Sequence, residues 1–517
     1  MENRYNLLDE QWIPVVGAGK VGLKRIFSDA SLPALGGNPV EKIAVFKLLL
    51  AIAQSACTPK DEAEWEALGC DGMKAAVLAY LDSHRDCFWL YGDKPFLQMP
   101  EIAEAINCSD KKKLIPVKLG NGIFPDLWAD NNTIVSDYDS LDITYESDKL
   151  ALYLIMVQNF ALKGKQVNNK IKIDIDLPPK GVVANPGPSL GFNRFLHSFI
   201  FLNTVLKSVY LNLLSLEDIE ASNIVTALGT PFWERMPKSE NDEIARESKG
   251  TLLGHLMPLS RFIYFTDKGL FFTEGIVYHR SNKEAKKKKI DELPWREFST
   301  SWRMNEKGEM KYLSADVSKR PWRLLTSLLV NKLDVTEFQN IGIRIAVKKL
   351  LAVSDYETFH IWSGGLDVGS DPFDMKVKGK DDYVESELLL PKSIFFDSQN
   401  ASFFGNLSYA MFKMNQCEKV LENHISSYLM ELKNKKSIKE RLCMPKEEFW
   451  QCCELEFQSV IDICAGNDVE NNLQPVYKKF WSFVCRIYDE NCPKDTARQM
   501  EAWAKNKPKM NTGKEVK

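Results

Sequence analysis

No stretch of the chain stays apolar for the roughly 18–20 residues that a bilayer-spanning helix needs. The richest run, "KIAVFKLLLAIAQSAC" at 42–57, is interrupted by Lys47. The opening "MENRYNLLDEQ" lacks the apolar core of a secretory signal, so a cytoplasmic protein with no membrane partner is the expectation. Histidine is scarce, and the six residues at 84, 197, 255, 279, 360 and 424 form no H-x-x-x-H pair. Eleven cysteines never fall into a C-x-x-C spacing, and Cys452-Cys453 is the only adjacency. The usual zinc ligand sets are therefore missing. Seven of the cysteines lie among apolar helical residues between 417 and 492, which suits buried reduced thiols better than disulfides. Also absent are the G-x-x-x-x-G-K-[ST] phosphate loop, a G-x-G-x-x-G after a strand, the G-x-S-x-G elbow and H-E-x-x-H. One acidic cluster, Asp367, Asp371 and Asp374 in "GLDVGSDPFD", has the composition of a nuclease metal site. Asp beside Gly and Pro is also ordinary turn chemistry.

What is present is a chain of 517 residues, 44% apolar and 26% charged, enough for two or more cores. The net charge of −3 argues against a protein that coats nucleic acid over its whole surface. Basicity is local, in lysine runs at 111–113, 163–172, 283–289, 376–380 and the C-terminal tail. Each alone reads as a solvated loop, whereas several in turn-rich segments together point to phosphate contacts.

The order of elements predicts an α+β fold. Two short strands around a Gly-rich turn precede a helix capped by Asn38 with Pro39 at its first position. Thr58 with Pro59 opens a second helix, and 71–84 forms a third. The aromatic turn "FWLYGDKPFLQMP" follows, then a polar stretch at about 108–148 and a helix over 148–164. The run "FLHSFIFLNTVLKSVYLNLLSL" at 195–216 reads as one long apolar helix. Hairpins are expected around Asp267-Lys268-Gly269 and in "WRMNEKGEMKYLS", with helices over 321–330 and 337–353. Beyond about 390 only helices remain, at 397–434, 445–466, 472–490 and 492–506, the pattern of an antiparallel four-helix bundle. The expected division is a large irregular mixed domain, 1–390, followed by the bundle, 391–517.

Taken in order, "NLLDEQWIPV", "FWLYGDKPFLQMP", "LGNGIFPDLWADNN", "NFALKG", "GVVANPGPSLGFNRFLHSFIFLNTVL", "PFWERMP", "RPWRLL" and "WSGGLDVGSDP" resemble the large-subunit family, CasA, of the type I-E CRISPR Cascade surveillance complex. The resemblance implies a subunit that is not an enzyme and holds no cofactor or metal. Such a subunit recognises the protospacer-adjacent motif (PAM) in double-stranded DNA, promotes strand opening beside the CRISPR guide RNA, and supports recruitment of a separate helicase-nuclease. Its partners are the other Cascade protein subunits, the guide RNA, the target duplex and that effector.

The family's docking loop near the guide RNA corresponds here to Asn121, Phe124 and Trp128, with aromatics suited to stacking on unpaired bases. A glycine loop that approaches the PAM minor groove corresponds to Lys163, Gly164 and Lys165; glycine lets backbone reach base edges. A helix C-cap is the rival role for Gly164. A wedge follows "SGGL" in the family, often with glutamines. Here that position reads Gly369, Ser370, Asp371, Pro372 and Phe373, without glutamine, leaving Pro372 and Phe373 as an apolar wedge. A lysine finger falls on Lys283, Lys286, Lys287, Lys288 and Lys289, with Lys268 as another candidate. The alternatives are a stand-alone metal-dependent nuclease using Asp367, Asp371 and Asp374, or a Cascade scaffold that no longer reads the PAM.

Overall fold

The computed structural model describes residues 3–103, 146–164, 185–266, 269–278, 295–329, 337–370, 375–377, 383–432, 438–466 and 468–509. The chain divides into two compact units, one of residues 1–321, 327–354 and 360–387, the other of 322–326, 355–359 and 388–517.

The first unit is built around the Pro39–Cys57 helix. Asn38 caps it through a reciprocal pair of bonds: Asn38 Oδ1 accepts from Glu41 N (2.9 Å), and Asn38 N donates to Glu41 Oε2 (3.0 Å). Every side chain from Ile43 to Gln54 is buried. A helix apolar on all faces must be covered on all faces, and the Glu62–Ser83, Ser147–Phe160 and Val205–Asn212 helices supply the cover. The second of these four begins later than its sequence suggests. Asp61 is its cap, accepting from Glu64 N (2.9 Å), while Thr58 closes the preceding helix by donating to Gln54 O (2.6 Å). Gly69, at φ 59°, breaks the helix and separates its two expected pieces.

The largest departure from expectation concerns 195–216, which forms a strand, His197–Phe201, and then the Val205–Asn212 helix. Thr204 divides them, its side chain accepting from Lys207 N in the extended conformation that a cap demands. The strand pairs antiparallel with Thr358–Leu366, placing Phe201 opposite His360 and His197 opposite Gly364. Tyr383–Pro391 completes this three-stranded sheet. A short apolar run fits either helix or strand, and here the available partner strand decides.

Both expected hairpins form. Arg261–Thr266 pairs with Gly269–Glu274, and Trp302–Met304 pairs with Met310–Tyr312; Gly269 (φ 119°) and Gly308 (φ 72°) take the positive φ their turns require. In "FWLYGDKPFLQMP" the rings of Phe88 and Phe96 stack 5.3 Å apart, and Phe96 lies 5.9 Å from Trp233, so these aromatics are core. Gln98 joins that core to the first hairpin, donating to Leu90 O (2.7 Å) and accepting from Phe265 N (3.0 Å).

The second unit is dominated by the helices Asp397–Glu431, Ile438–Ala465, Val469–Asn491 and Ala497–Asn506. The first three pack on one another and the fourth packs on the first. Leu407, Met414, Leu421, Ile425, Phe449, Phe457, Phe480 and Val484 fill the interior at helical spacing. The second and third helices start earlier than expected, so Pro445 lies inside its helix instead of at its start, and Pro475, already expected within its helix, lies deeper. An internal proline forfeits one hydrogen bond and strains the turn before it. Burial of Leu442 and Pro445 offsets this in the second helix. The whole is the α+β chain with a C-terminal helical bundle that the sequence predicts.

Candidate nucleic-acid interface

The stem of the candidate glycine loop emerges from the Ser147–Phe160 helix. That helix ends at Phe160 with Ala161 as its cap residue, so Gly164 is not its C-cap. Gly164 has φ 144°, a conformation that favours glycine, and it is buried. Lys163 is half-buried, with Nζ 5.1 Å from the centroid of the Phe192 ring. The segment beginning at Asn185 runs against this stem. Gly187 N donates to Ala161 O (2.7 Å) and Ser189 N to Asn159 O (3.0 Å). The approach leaves no room for a side chain: a Cβ on Gly187 would lie 2.3 Å from Asn159 O and 2.7 Å from Ala161 N.

Arg261 fastens the stem to the first hairpin. Its guanidinium, buried with the rest of the residue, donates to Ser260 O (2.7 Å), Leu162 O (3.0 Å) and Asn185 O (2.8 Å). Burial pulls the Arg261 pKa down to about 10, with Glu274 opposing. Glu274, its cross-strand partner, accepts from Asn185 N (2.9 Å) and Asn185 Nδ2 (3.1 Å). Gln158 holds the Arg261 backbone, donating to its carbonyl (2.9 Å) and accepting from its amide (3.0 Å).

The candidate wedge rises from a third element. Val368–Ser370 pairs antiparallel with Met375–Val377, setting Gly369 opposite Lys376 and Ser370 opposite Met375. Its base is held by Arg194, which donates to Asp367 Oδ1 (2.6 Å) and Val368 O (3.4 Å). Arg194 itself has φ 54°, a conformation costing a non-glycine residue about 1–2 kcal/mol. The ion pair holds it there. Asp367 Oδ2 accepts from Val317 N (3.2 Å). Both oxygens of the Asp367 carboxylate are thus engaged by protein donors, one of them a guanidinium, which counts against its holding a metal. The "SGGL" motif gains a physical reason as well, because a Cβ on Gly365 would meet Phe195 O at 2.7 Å.

The structure thus brings together Lys163, Gly164 and the 185–195 segment, and separately anchors Gly369 and Ser370 through Arg194 of that same segment. Asn121, Phe124, Trp128, Lys165, Lys268, Lys283, Lys286, Lys287, Lys288, Lys289, Asp371, Pro372, Phe373 and Asp374 lie outside the described residues.

Sequence reasoning missed the polar node beneath. Lys47, which interrupts the apolar helix, pairs at 3.0 Å with Glu297 and donates to Ser189 Oγ (2.6 Å); all three side chains are buried. His197 Nε2 donates to Ser189 O (2.7 Å), and in the neutral imidazole that burial favours, Nδ1 accepts from Ser299 Oγ (2.9 Å). Burial lowers the His197 pKa to about 4, against the opposing pull of Glu297. The one local signal for this node was a single Lys inside the apolar run 43–53. An internal cavity of about 40 Å³ borders Lys47, His255 and Glu297, room for a water or two. It contains none of the candidate DNA residues.

Comparison with known proteins places the chain. The family model described as CRISPR-associated protein Cse1 matches residues 6–487. The curated CasA/Cse1 protein of Thermus thermophilus is 31% identical over 137 residues, covering 24% of this chain and 26% of that relative's length. Its fold is shared with Thermobifida fusca Cse1 (TM-score 0.70, 16% identity, 97% of each chain). Thermus thermophilus CasA is similar too (TM-score 0.67, 17% identity, 97% of this chain and 98% of that one). So is a chain of a solved CRISPR RNA-guided surveillance complex (TM-score 0.65, 14% identity, 98% and 99%). With a family model spanning nearly its whole length, the protein belongs to the Cse1 (CasA) family of CRISPR-associated proteins.

Proposed function

We propose that this protein is the large subunit of a type I-E RNA-guided surveillance complex. In it, the protein reads the PAM in duplex DNA, promotes strand opening for guide pairing, and supports recruitment of the helicase-nuclease. It performs no chemistry itself. Residues 1–390 carry PAM reading and docking on the other subunits and the guide RNA, and 391–517 form the helical bundle.

The observation that carries this reading is a hydrogen-bonded frame, buried at Arg261 and Gly187 and half-buried at Arg194. It ties the Leu162–Gly164 stem, the 185–195 segment and the Val368–Ser370 strand together through Arg261, Gly187 and Arg194. Reading base edges needs groups held to a fraction of an ångström, and such a frame supplies that rigidity. The Gly164 loop then offers backbone to the minor groove, Lys163 and Lys165 offer charge to phosphates, and residues 369–373 supply the wedge. Lys268 or the lysines of 283–289 complete the groove contacts.

The test is equilibrium binding of guide-loaded complex, with and without this subunit, to target duplexes carrying a randomised flank beside the protospacer. Flank-dependent binding that appears only with the subunit is expected. Binding indifferent to the flank overturns PAM reading in favour of a scaffold, and metal-dependent cleavage by the isolated protein overturns the non-catalytic assignment.

A further inference from the structure

We infer that Arg261 is a positioning residue for DNA recognition, a clasp whose guanidinium fixes the Leu162–Gly164 stem and Asn185 to the base of the Arg261–Glu274 hairpin. The inference rests on the PAM-reading role proposed above. It identifies a residue that touches no DNA yet sets where the reading groups stand.

Arginine suits this position for reasons of shape. Its planar fork presents donors on two nitrogens, and here Nη1 takes Ser260 O while Nη2 takes both Leu162 O and Asn185 O. Leu162 lies one residue before Lys163 and two before Gly164. Asn185 lies two residues before Gly187, whose amide binds back onto Ala161 O. One side chain therefore closes a ring of contacts: hairpin to stem, stem to segment, segment to hairpin. Glu274 tightens the ring from the other strand by accepting from both nitrogens of Asn185. Gln158 fixes the backbone of Arg261, so both ends of the residue are held.

A cation that is only 2% exposed is an expensive way to fill a core, and an apolar residue of similar volume would serve stability as well. An apolar residue would leave the carbonyls of Leu162 and Asn185 without a common donor. What the guanidinium adds is register between the stem and the Arg261–Thr266 and Gly269–Glu274 strands.

The test compares the parent with Arg261→Lys, which keeps the charge but replaces two donor nitrogens with one. Guide-loaded complexes are titrated with duplexes carrying the preferred flank and a scrambled flank, over a range of salt, well below each variant's melting temperature. The expected result is a fall of about tenfold in the ratio of the two affinities, the size of losing one or two charge-assisted bonds. Scrambled-flank affinity and its salt slope stay as in the parent, because no phosphate contact is removed. A variant that retains the parent's flank preference overturns the clasp. So does one whose salt slope falls, because Arg261 would then be a phosphate contact. If Arg261→Lys fails to assemble, Arg261→Gln is used instead: it keeps one amide donor group on a shorter side chain and removes the fork that binds the three carbonyls. Reduced flank preference in that variant supports the clasp, and unchanged preference overturns it. A parent complex with no flank preference refutes PAM reading itself, an outcome distinct from failure of the clasp alone.

Discussion

Replacing Gly187 with alanine inserts one methyl group where the backbone of 159–161 already stands. The new Cβ would sit 2.3 Å from Asn159 O, 2.6 Å from Asn159 C and 2.7 Å from Ala161 N, all main-chain atoms of a buried helix end that cannot swing aside. The 185–190 segment must retreat instead. Retreat breaks the bonds from Gly187 N to Ala161 O (2.7 Å) and from Ser189 N to Asn159 O (3.0 Å), at about 1 kcal/mol each. Residual overpacking adds about 1–3 kcal/mol. Gly187→Ala is therefore expected to lose about 3–5 kcal/mol, visible as a melting midpoint several degrees lower and a reduced urea midpoint with unchanged slope. Because the same movement displaces Asn185 and loosens the stem below Gly164, flank-dependent DNA binding should weaken more than flank-independent binding. Pro186→Ala and Pro188→Ala serve as controls, since neither adds a group at the crowded position. A melting midpoint equal to the parent's would refute the close-approach reasoning.

Further outcomes follow from the buried polar groups. Burial lowers the pKa of His197 and of His255 to about 4, against about 6.5 in an unfolded chain. Below pH 6.5 the unfolded state therefore binds protons that the folded state refuses. Stability falls as the pH drops from about 6.5 toward 4, by up to about 3 kcal/mol per histidine, and melting curves of the parent and of His197→Gln across that window check it. Burial pushes the Glu297 pKa up, but Lys47 and His197 pull it below its ordinary value. Its contribution is thus present above about pH 4.3 and is lost below it, in the same direction. Lys47→Met strands the Glu297 carboxylate and costs about 3–5 kcal/mol; adding Glu297→Gln recovers much of that in a double-mutant cycle, and strict additivity would count against the pair. In the bundle, Phe480→Ala, at a fully buried position, costs about 3–5 kcal/mol. Leu455→Ala, 84% exposed, changes stability by less than about 0.5 kcal/mol by the same urea titration.

Elements governed by local chemistry were legible in the sequence. The Asn38-Pro39 start, the two glycine hairpins and the helices of the bundle each follow from a cap, a turn residue or a period within a few positions. The His197–Phe201 strand was not legible, because "HSFIF" is equally apolar as helix or strand and its partner lies beyond residue 357. Pro445 misled in the opposite sense: proline marks helix starts on average, yet bundle packing carries the helix through it.

The candidate site divides along the same physical line. Residues assigned to DNA are lysines, glycines and turn-forming residues, and these announce themselves by composition and by family order. Residues that hold them are buried and polar, and their partners are remote: 250 positions separate Lys47 from Glu297 and 173 separate Arg194 from Asp367. Among the described residues the Arg261 guanidinium donates to backbone carbonyls alone, so no complementary side chain there signals its role. A scan for surface charge finds the first group and passes over the second. The second group nevertheless has the stronger claim on specificity. Phosphate contacts add affinity to any duplex, whereas telling one flank from another depends on fixed geometry. Discrimination should accordingly respond more to Arg261, Gly187 and Arg194 than to any single surface lysine.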